Sequence, residues 1–234
     1  MPTTKNRTRE LSPSYDVAKC LAELKRLATS KTRTEMATRY GIITDKAFGV
    51  KVGDIQSVAK KIGTHHELAA KLWATGWYEA RMLASFIDDA DLVTPAQMDR
   101  WRRDFDNWGI CDTVCFKLFD RTPHAMSKVR QWAKLTDEFG KRAAFALLAC
   151  VALHNKSVAD EELVRCLPLI GKAATDERNF VKKGVSWALR AVGSRTALRS
   201  AATALAEQLA DSDVPAARWI GRDALRDFRK SRSR

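Results

Sequence analysis

The sequence predicts an all-α protein built as an α-solenoid of stacked antiparallel helix pairs, and three observations carry that prediction. Apolar residues recur at helical period along nearly the whole chain, Thr-Pro and Ser-Pro steps punctuate the helix starts, and no segment shows the alternation of a half-buried strand. In order, Ser12-Pro13 marks a first start, a capping side chain followed by proline at the first helical position. Val52, Ile55, Ala59 and Ile62 then form one helical stripe. Thr94-Pro95 opens a helix whose stripe is Met98, Trp101 and Phe105, and Thr122-Pro123 opens one with Met126, Val129 and Trp132. Ala143–Leu153 is an unbroken apolar run of eleven residues. A helix apolar all round belongs at the centre, covered on several sides. Leu198, Ala201, Leu205 and Leu209 make a later stripe, and Pro215, following Asp211-Ser212-Asp213, opens the last helix. The pattern gives about a dozen helices of roughly 9–16 residues with short connections, which must pack as antiparallel neighbours. No fixed-period motif recurs, and no Gly/Ser/Pro-rich linker divides the chain. One domain is expected over 12–228, flanked by a basic tail at 1–11 and another at 229–234 that have little to bury.

The chain has 234 residues, 41 Lys and Arg against 28 Asp and Glu, and a formal net charge of +13. A length of this order buries roughly 70% of the unfolded surface. With 45% hydrophobic and 29% charged residues the composition is that of a globular protein, which excludes extensive disorder. The longest apolar run is too short to cross a bilayer, and the N-terminal MPTTKNRTRELS has no apolar stretch of a signal peptide, so no membrane partner is expected. Five scattered cysteines suggest reduced thiols and a cytoplasmic or nuclear setting, nucleoid-associated in a bacterium. A pI near 9.8 favours an anionic partner, nucleic acid first. A monomer is expected, because a solenoid with polar caps needs no second copy.

The positive charge is patterned in three places. Lys183, Trp187 and Arg190 stand at i, i+4 and i+7 on one helix face, a large aromatic between two cations, which suits a phosphate backbone with a base or sugar to stack against. The alternative is a core tryptophan flanked by solvated cations. Arg218, Arg222 and Arg226 make a ridge on the last helix. Lys141-Arg142 opens the apolar helix, where an arginine either faces a cleft or pairs with an acid such as Glu138. Acid runs at Asp88-Asp89 and Glu161-Glu162 read as surface.

Asp104–Cys115 is the densest chemical segment. Trp108, Cys111, Asp112 and Cys115 share one face of a helix. Two thiolates four apart are half a zinc site, but Cys20, Cys150 and Cys166 offer no second half, and an iron–sulfur site lacks its third nearby cysteine. Residues i and i+4 on a helix are also poorly placed for a disulfide. Buried structural cysteine is the simpler reading. Asp112, one turn from the Trp108 platform, could hold a cationic group, or stabilise the sugar cation that develops as an N-glycosidic bond breaks. The competing reading pairs Asp112 with an arginine of a neighbouring helix. His65, His66, His124 and His154 form no catalytic or metal-binding spacing, and there is no Gly-rich phosphate loop and no nucleophile elbow. No metal or organic cofactor is expected.

Several stretches together carry a family resemblance: Met36-Ala37 with Tyr40, Phe48-Gly49-Val50, Asp112-Thr113-Val114, Lys141-Arg142-Ala143-Ala144, and Val181–Arg190, including Lys182, Lys183 and Trp187. In order, spacing and total length the chain resembles the AlkD-like DNA alkylation repair proteins, HEAT-like repeat glycosylases that remove cationic alkylated purines. The resemblance implies a HEAT-like superhelix holding double-stranded, alkylated or otherwise damaged DNA on a basic concave face. Two tryptophans, an arginine and an aspartate would lie beside the nucleotide. By position Arg142 looks like the family arginine and Trp187 like the second tryptophan. The family motif Trp-Asp-Ser/Thr-Val-Asp appears here as Cys111-Asp112-Thr113-Val114-Cys115, placing cysteines at both cleft positions. A second anchor sets Trp108 and Asp112 on the same Trp-x-x-x-Asp spacing one turn earlier, with Asp112 as the catalytic carboxylate. The DNA contacts implied are Trp108, Arg142, Lys182, Lys183, Trp187 and Arg190. Three functions follow as expectations: a glycosylase hydrolysing the bond to cationic alkylpurines, a non-catalytic relative that binds damaged or branched DNA, and a helical-repeat scaffold for protein or RNA partners.

Overall fold

The structure, a computed structural model, describes residues 15–232, with side chains through Lys230. The N-terminal segment 1–11 and the Ser12-Pro13 helix start lie outside the described residues, as do Ser233 and Arg234. Among the described residues there are fourteen α-helices and no strand. The chain divides into two compact units, one reaching to Tyr40 and resuming over Thr44–Asp88, the other made of Gly41–Ile43 and everything from Asp89 onward.

The first unit contains α1 (Val17–Arg26), α2 (Ser30–Thr38), α3 (Val52–Ile62), α4 (His66–Ala74) and α5 (Tyr78–Ile87). Asp16 caps α1 by accepting the Lys19 amide, and Thr29 caps α2 through Thr32. Cys20, Leu24, Ile55, Leu72, Met82, Leu83 and Ile87 fill its core. Glu79, within α5, is fully buried, and its carboxylate accepts the amides of Phe48, Gly49 and Val50 at 2.9, 2.7 and 3.2 Å. Such a charge is tolerable inside because the amide donors replace its water. Asp88, expected on the surface, is 3% exposed and sits 2.5 Å from His66 Nδ1. The acid run reads as surface from sequence because the histidine that lets Asp88 be buried is 22 residues away.

The second unit holds α6 (Pro95–Arg103), α7 (Trp108–Lys117), α8 (Ala125–Trp132), α9 (Glu138–His154), α10 (Asp160–Val164), α11 (Leu167–Ala173), α12 (Asn179–Ser194), α13 (Arg199–Ala210) and α14 (Pro215–Arg232). Thr94 caps α6 with Pro95 in the first turn, and Pro215 opens α14, both as the sequence predicts. Thr122-Pro123 does not cap α8. Thr122 is buried and its hydroxyl donates to the Phe119 carbonyl, closing the 3-10 turn Phe119–Arg121, so the helix begins at Ala125. α9 is the central helix: Ala143 through Ala152 are each at most 1% exposed.

Helices α7, α9, α12 and α14 form a layer and run parallel. Cys111 and Cys115 of α7 meet the carbonyls of Phe139 and Ala143 of α9, so a step of four on one helix matches a step of four on the next. The same register joins α12 to α14, where Lys182 lies over Trp219 and Ser186 bonds Asp223. Helices α8, α11 and α13 each pack against the layer helix that follows. The buried stripe of α13 is Ala202, Ala206 and Leu209 rather than Ala201, Leu205 and Leu209. Small residues face α14 there because its Gly221 backbone comes against them. Helix α14 extends through Arg232, so the expected tail is helical over 229–232, anchored where buried Phe228 accepts Arg199 Nη1 at its carbonyl.

Candidate nucleic-acid interface

Asn107 starts α7 by accepting the Ile110 amide at 3.0 Å, which fixes Trp108 at the first helical position with Asp112 one turn on. Asp112 faces α9. Arg142 grips its carboxylate in fork geometry, Nε to Oδ1 at 2.9 Å and Nη2 to Oδ2 at 2.6 Å. The remaining Nη1 donates to the Phe180 carbonyl of α12 at 2.6 Å, and the guanidinium lies 5.9 Å from the Phe180 ring centre. Arg142 therefore ties three helices of the layer together. Its side chain is 7% exposed and that of Asp112 20%. Burial pushes the Asp112 carboxyl above the usual carboxylate range, against the pull of Arg142.

These positions bear on two alternatives left open by the sequence. Arg142 pairs with an acid, Asp112 of the neighbouring helix rather than Glu138. Cys111 and Cys115, expected at cleft positions, are both fully buried against α9. On the helix face these residues share, Cys111 and Cys115 lie at the edge turned to α9, Asp112 at the edge turned away from the core, and Trp108 between them, only partly buried. Burial also raises the Cys115 and Cys150 thiols well above their ordinary range, which keeps them neutral. The Trp108–Asp112 spacing thus lies on the accessible side of α7.

On α12, Lys183 is exposed and Trp187 half-buried, one turn apart as the stripe predicts. Arg190 is drawn aside, 3.4 Å from Asp223 and 4.0 Å from Asp227 of α14. Lys182 lies over the ring of Trp219 at 5.1 Å, and Trp219 is 38% exposed. Trp219 was missed by the sequence reading. Its only signal is that it falls between Arg218 and Arg222 on the last helix. Of that ridge, Arg218 turns back to the Ser212 carbonyl, Arg226 pairs with Asp223, and Arg222 is exposed. Across α7, α12 and α14 the layer thus offers Trp108, Lys183, Trp187, Lys182 on Trp219, and Arg222, with the neutralised Asp112–Arg142 pair set among them.

Lys141, beside Arg142, bonds Asp176 at 3.1 Å, and Arg178 chelates the same carboxylate at 2.6 and 2.9 Å. Those hydrogen bonds, Arg178 first, hold Asp176 far below the usual carboxylate range. A carboxylate lowered by folding contributes its full stabilisation above its unfolded pKa of about 3.9, and loses it progressively as the pH falls from there through the lowered folded value. Asp176→Asn is accordingly expected to cost about 2 kcal/mol at pH 7 and somewhat less at pH 3, where the unfolded carboxyl is mostly protonated but the folded one is still ionised, read from urea melts at the two values. Equal losses at both pH values would contradict this role.

Among the described residues no group of three or more His, Cys, Asp and Glu side chains is gathered as a metal site, and no helix is long and apolar enough to cross a membrane. A solved structure described as representing a new family of proteins related to the HEAT-like repeat DNA glycosylases, with affinity for branched DNA structures, is similar over 91% of this chain and 95% of its own, at 21% identity and a TM-score of 0.76. That likeness shows the HEAT-like fold. No curated protein matches the chain. The model of the DNA alkylation repair enzyme family matches residues 20–228, nearly the whole of the described chain, and the chain belongs to that family.

Proposed function

We propose that this chain binds DNA, damaged or branched, through the exposed side of the α7–α9–α12–α14 layer. The observation that carries the reading is the alternation of cations and half-exposed aromatics on three of the four layer helices, α7, α12 and α14: Trp108, Lys183, Trp187, Lys182 on Trp219, and Arg222. Lysines and arginine neutralise phosphates, and tryptophan faces accept a base or sugar that damage or branching has uncovered. The solved relative's affinity for branched DNA and the +13 charge support the same partner. Binding measured against salt tests it. Affinity falls linearly on a log–log plot, and Lys183→Glu weakens every DNA about tenfold and flattens the slope by about one. Failure to bind any DNA at low salt overturns the reading in favour of a scaffold.

A second reading, excision of cationic alkylated purines, is favoured by one feature: Asp112 keeps a fifth of its side chain exposed, one turn from Trp108. A carboxylate there stabilises positive charge developing on the sugar, and a cationic base is already a good leaving group. In the structure both Asp112 oxygens are bound by Arg142, so excision requires the pair to loosen on the nucleotide. Methylated duplex incubated with the protein would release free methylpurines, and Asp112→Asn would lower that release without weakening DNA binding. If wild-type protein binds DNA but releases no base, the protein is a binding member of its family alone.

A further inference from the structure

We propose that the first compact unit carries a stacking site for an unpaired DNA base, formed by Phe48 and Trp77 with Lys46 beside them. The inference rests on the DNA-binding reading above and gives it a second contact surface. The two rings lie parallel, centroids 4.1 Å apart and 13° between planes. Both remain partly exposed, whereas Trp73 on the preceding helix is buried. The core of the unit closes without them.

One buried group fixes the segment that carries Phe48 to the start of the helix that follows Trp77. Glu79 gathers the amides of Phe48, Gly49 and Val50, and it stands two residues after Trp77, the residue that caps α5. The segment is pinned at two further points: the Gly49 carbonyl accepts the Thr29 amide at 2.9 Å, and the Lys46 carbonyl accepts the Tyr78 amide at 2.8 Å. Gly49, at φ +91°, is required there, since a Cβ would lie 2.7 Å from the Thr29 carbonyl oxygen. At Gly76, φ +74°, the chain turns just before Trp77, and the Lys46 ammonium lies within 3.4 Å of where a Cβ would be. The result is a rigid aromatic pair with an exposed cation at its edge, and Lys51 is exposed at the start of α3.

The ligand class follows from what the rings can contact. Inside a duplex each base face is covered by its neighbours, so only an unpaired or terminal base offers a free π-face. Lys46 and Lys51 then meet the flanking phosphates. Single-stranded DNA and the unpaired bases at a branch point both supply this chemistry.

The test uses the full chain, a fluorescein-labelled oligothymidylate, and a covalently closed circular duplex, which has no terminal base. Trp77→Ala is expected to weaken oligothymidylate binding at least tenfold while changing duplex binding less than about twofold, and Trp77→Phe to restore most of the loss. Lys46→Ala, an exposed substitution that leaves Glu79 and its three amides intact, lowers the salt slope for the single strand by about 0.7. Thermal melts identify any variant that has lost its fold, and Lys46→Ala then decides alone. Unchanged oligothymidylate binding in folded Trp77→Ala, or in Lys46→Ala, overturns the site. If wild-type protein binds duplex but no single strand, the stacking site falls and the layer's DNA-binding role stands. If it binds neither, both fall.

Discussion

Arg142→Ala is expected to cost about 3–5 kcal/mol of stability, the loss seen when one partner of a buried ion pair is removed and the other is left behind. The size comes from what remains. Asp112 keeps four-fifths of its side chain out of water, loses two short charge-assisted hydrogen bonds, and finds no other donor. The Phe180 carbonyl also loses its partner across the α9–α12 contact. The loss depends on pH in a defined sense. Without Arg142, burial alone acts on Asp112 and raises its folded pKa further above the unfolded value. Stability is then greatest below the unfolded value of about 3.9 and drains as the pH rises through the folded one. Urea melts at pH 7 and pH 4 should show the larger deficit at pH 7. The double substitution Asp112→Leu, Arg142→Met, which removes both charges, should recover most of the loss. A deficit under 1 kcal/mol for Arg142→Ala would mean that the pair is not a structural tie. The same reasoning disqualifies Arg142→Ala as a probe of phosphate binding, because its DNA affinity would be confounded with unfolding.

The sequence makes the architecture legible where burial and periodicity coincide. Ala143–Leu153 can only be a central helix, and α9 is one. Thr94-Pro95 and Pro215 start helices because capping and a proline-fixed φ act locally. What the sequence leaves undecided is rotation and adjacency. In Trp108–Cys115 the i, i+4 pairs Trp108 with Asp112 and Cys111 with Cys115 overlap on one broad face, and spacing alone does not say which edge of that face is turned to a neighbouring helix. Only the packing of α7 on α9 decides between them, turning both thiols toward the Phe139 and Ala143 carbonyls. Arg190 shows the same limit from another side. Its spacing from Lys183 and Trp187 is correct, but Asp223 and Asp227, more than thirty residues on, draw it away from their stripe. Trp219 escaped notice because its cation, Lys182, belongs to another helix. Thr122 followed a sound local rule and lost to tertiary burial, its hydroxyl serving the turn before it.

Gly221→Ala sets two effects of opposite sign against each other, and close packing is expected to win. In an open helix the change returns about 1 kcal/mol of helix propensity. At this position the new Cβ would lie 2.3 Å from the Ala210 amide nitrogen and 2.4 Å from the Ala206 carbonyl oxygen. Both are backbone atoms of α13, so no rotamer change relieves the clash, and α14 must back away along its length. Overpacking of this kind costs about 1–3 kcal/mol and occasionally more, and contact with rigid backbone puts it at or beyond the upper end. The expected net loss is about 2 kcal/mol, seen as a lower urea midpoint with little change in slope. Gly53→Ala is the matched control: it lies in the first turn of α3 with nothing within 4 Å of its Cβ position, and should leave stability unchanged or slightly higher. A Gly221→Ala protein as stable as wild type would mean that α13 and α14 can separate freely. The displacement also reaches the proposed interface. Trp219 and Arg222 flank Gly221 on α14, and Asp223 fixes α14 to Ser186 of α12. A shift of the helix therefore carries the Trp219 ring away from Lys182. DNA affinity should fall in Gly221→Ala even under conditions where the protein remains fully folded, and stay unchanged in Gly53→Ala.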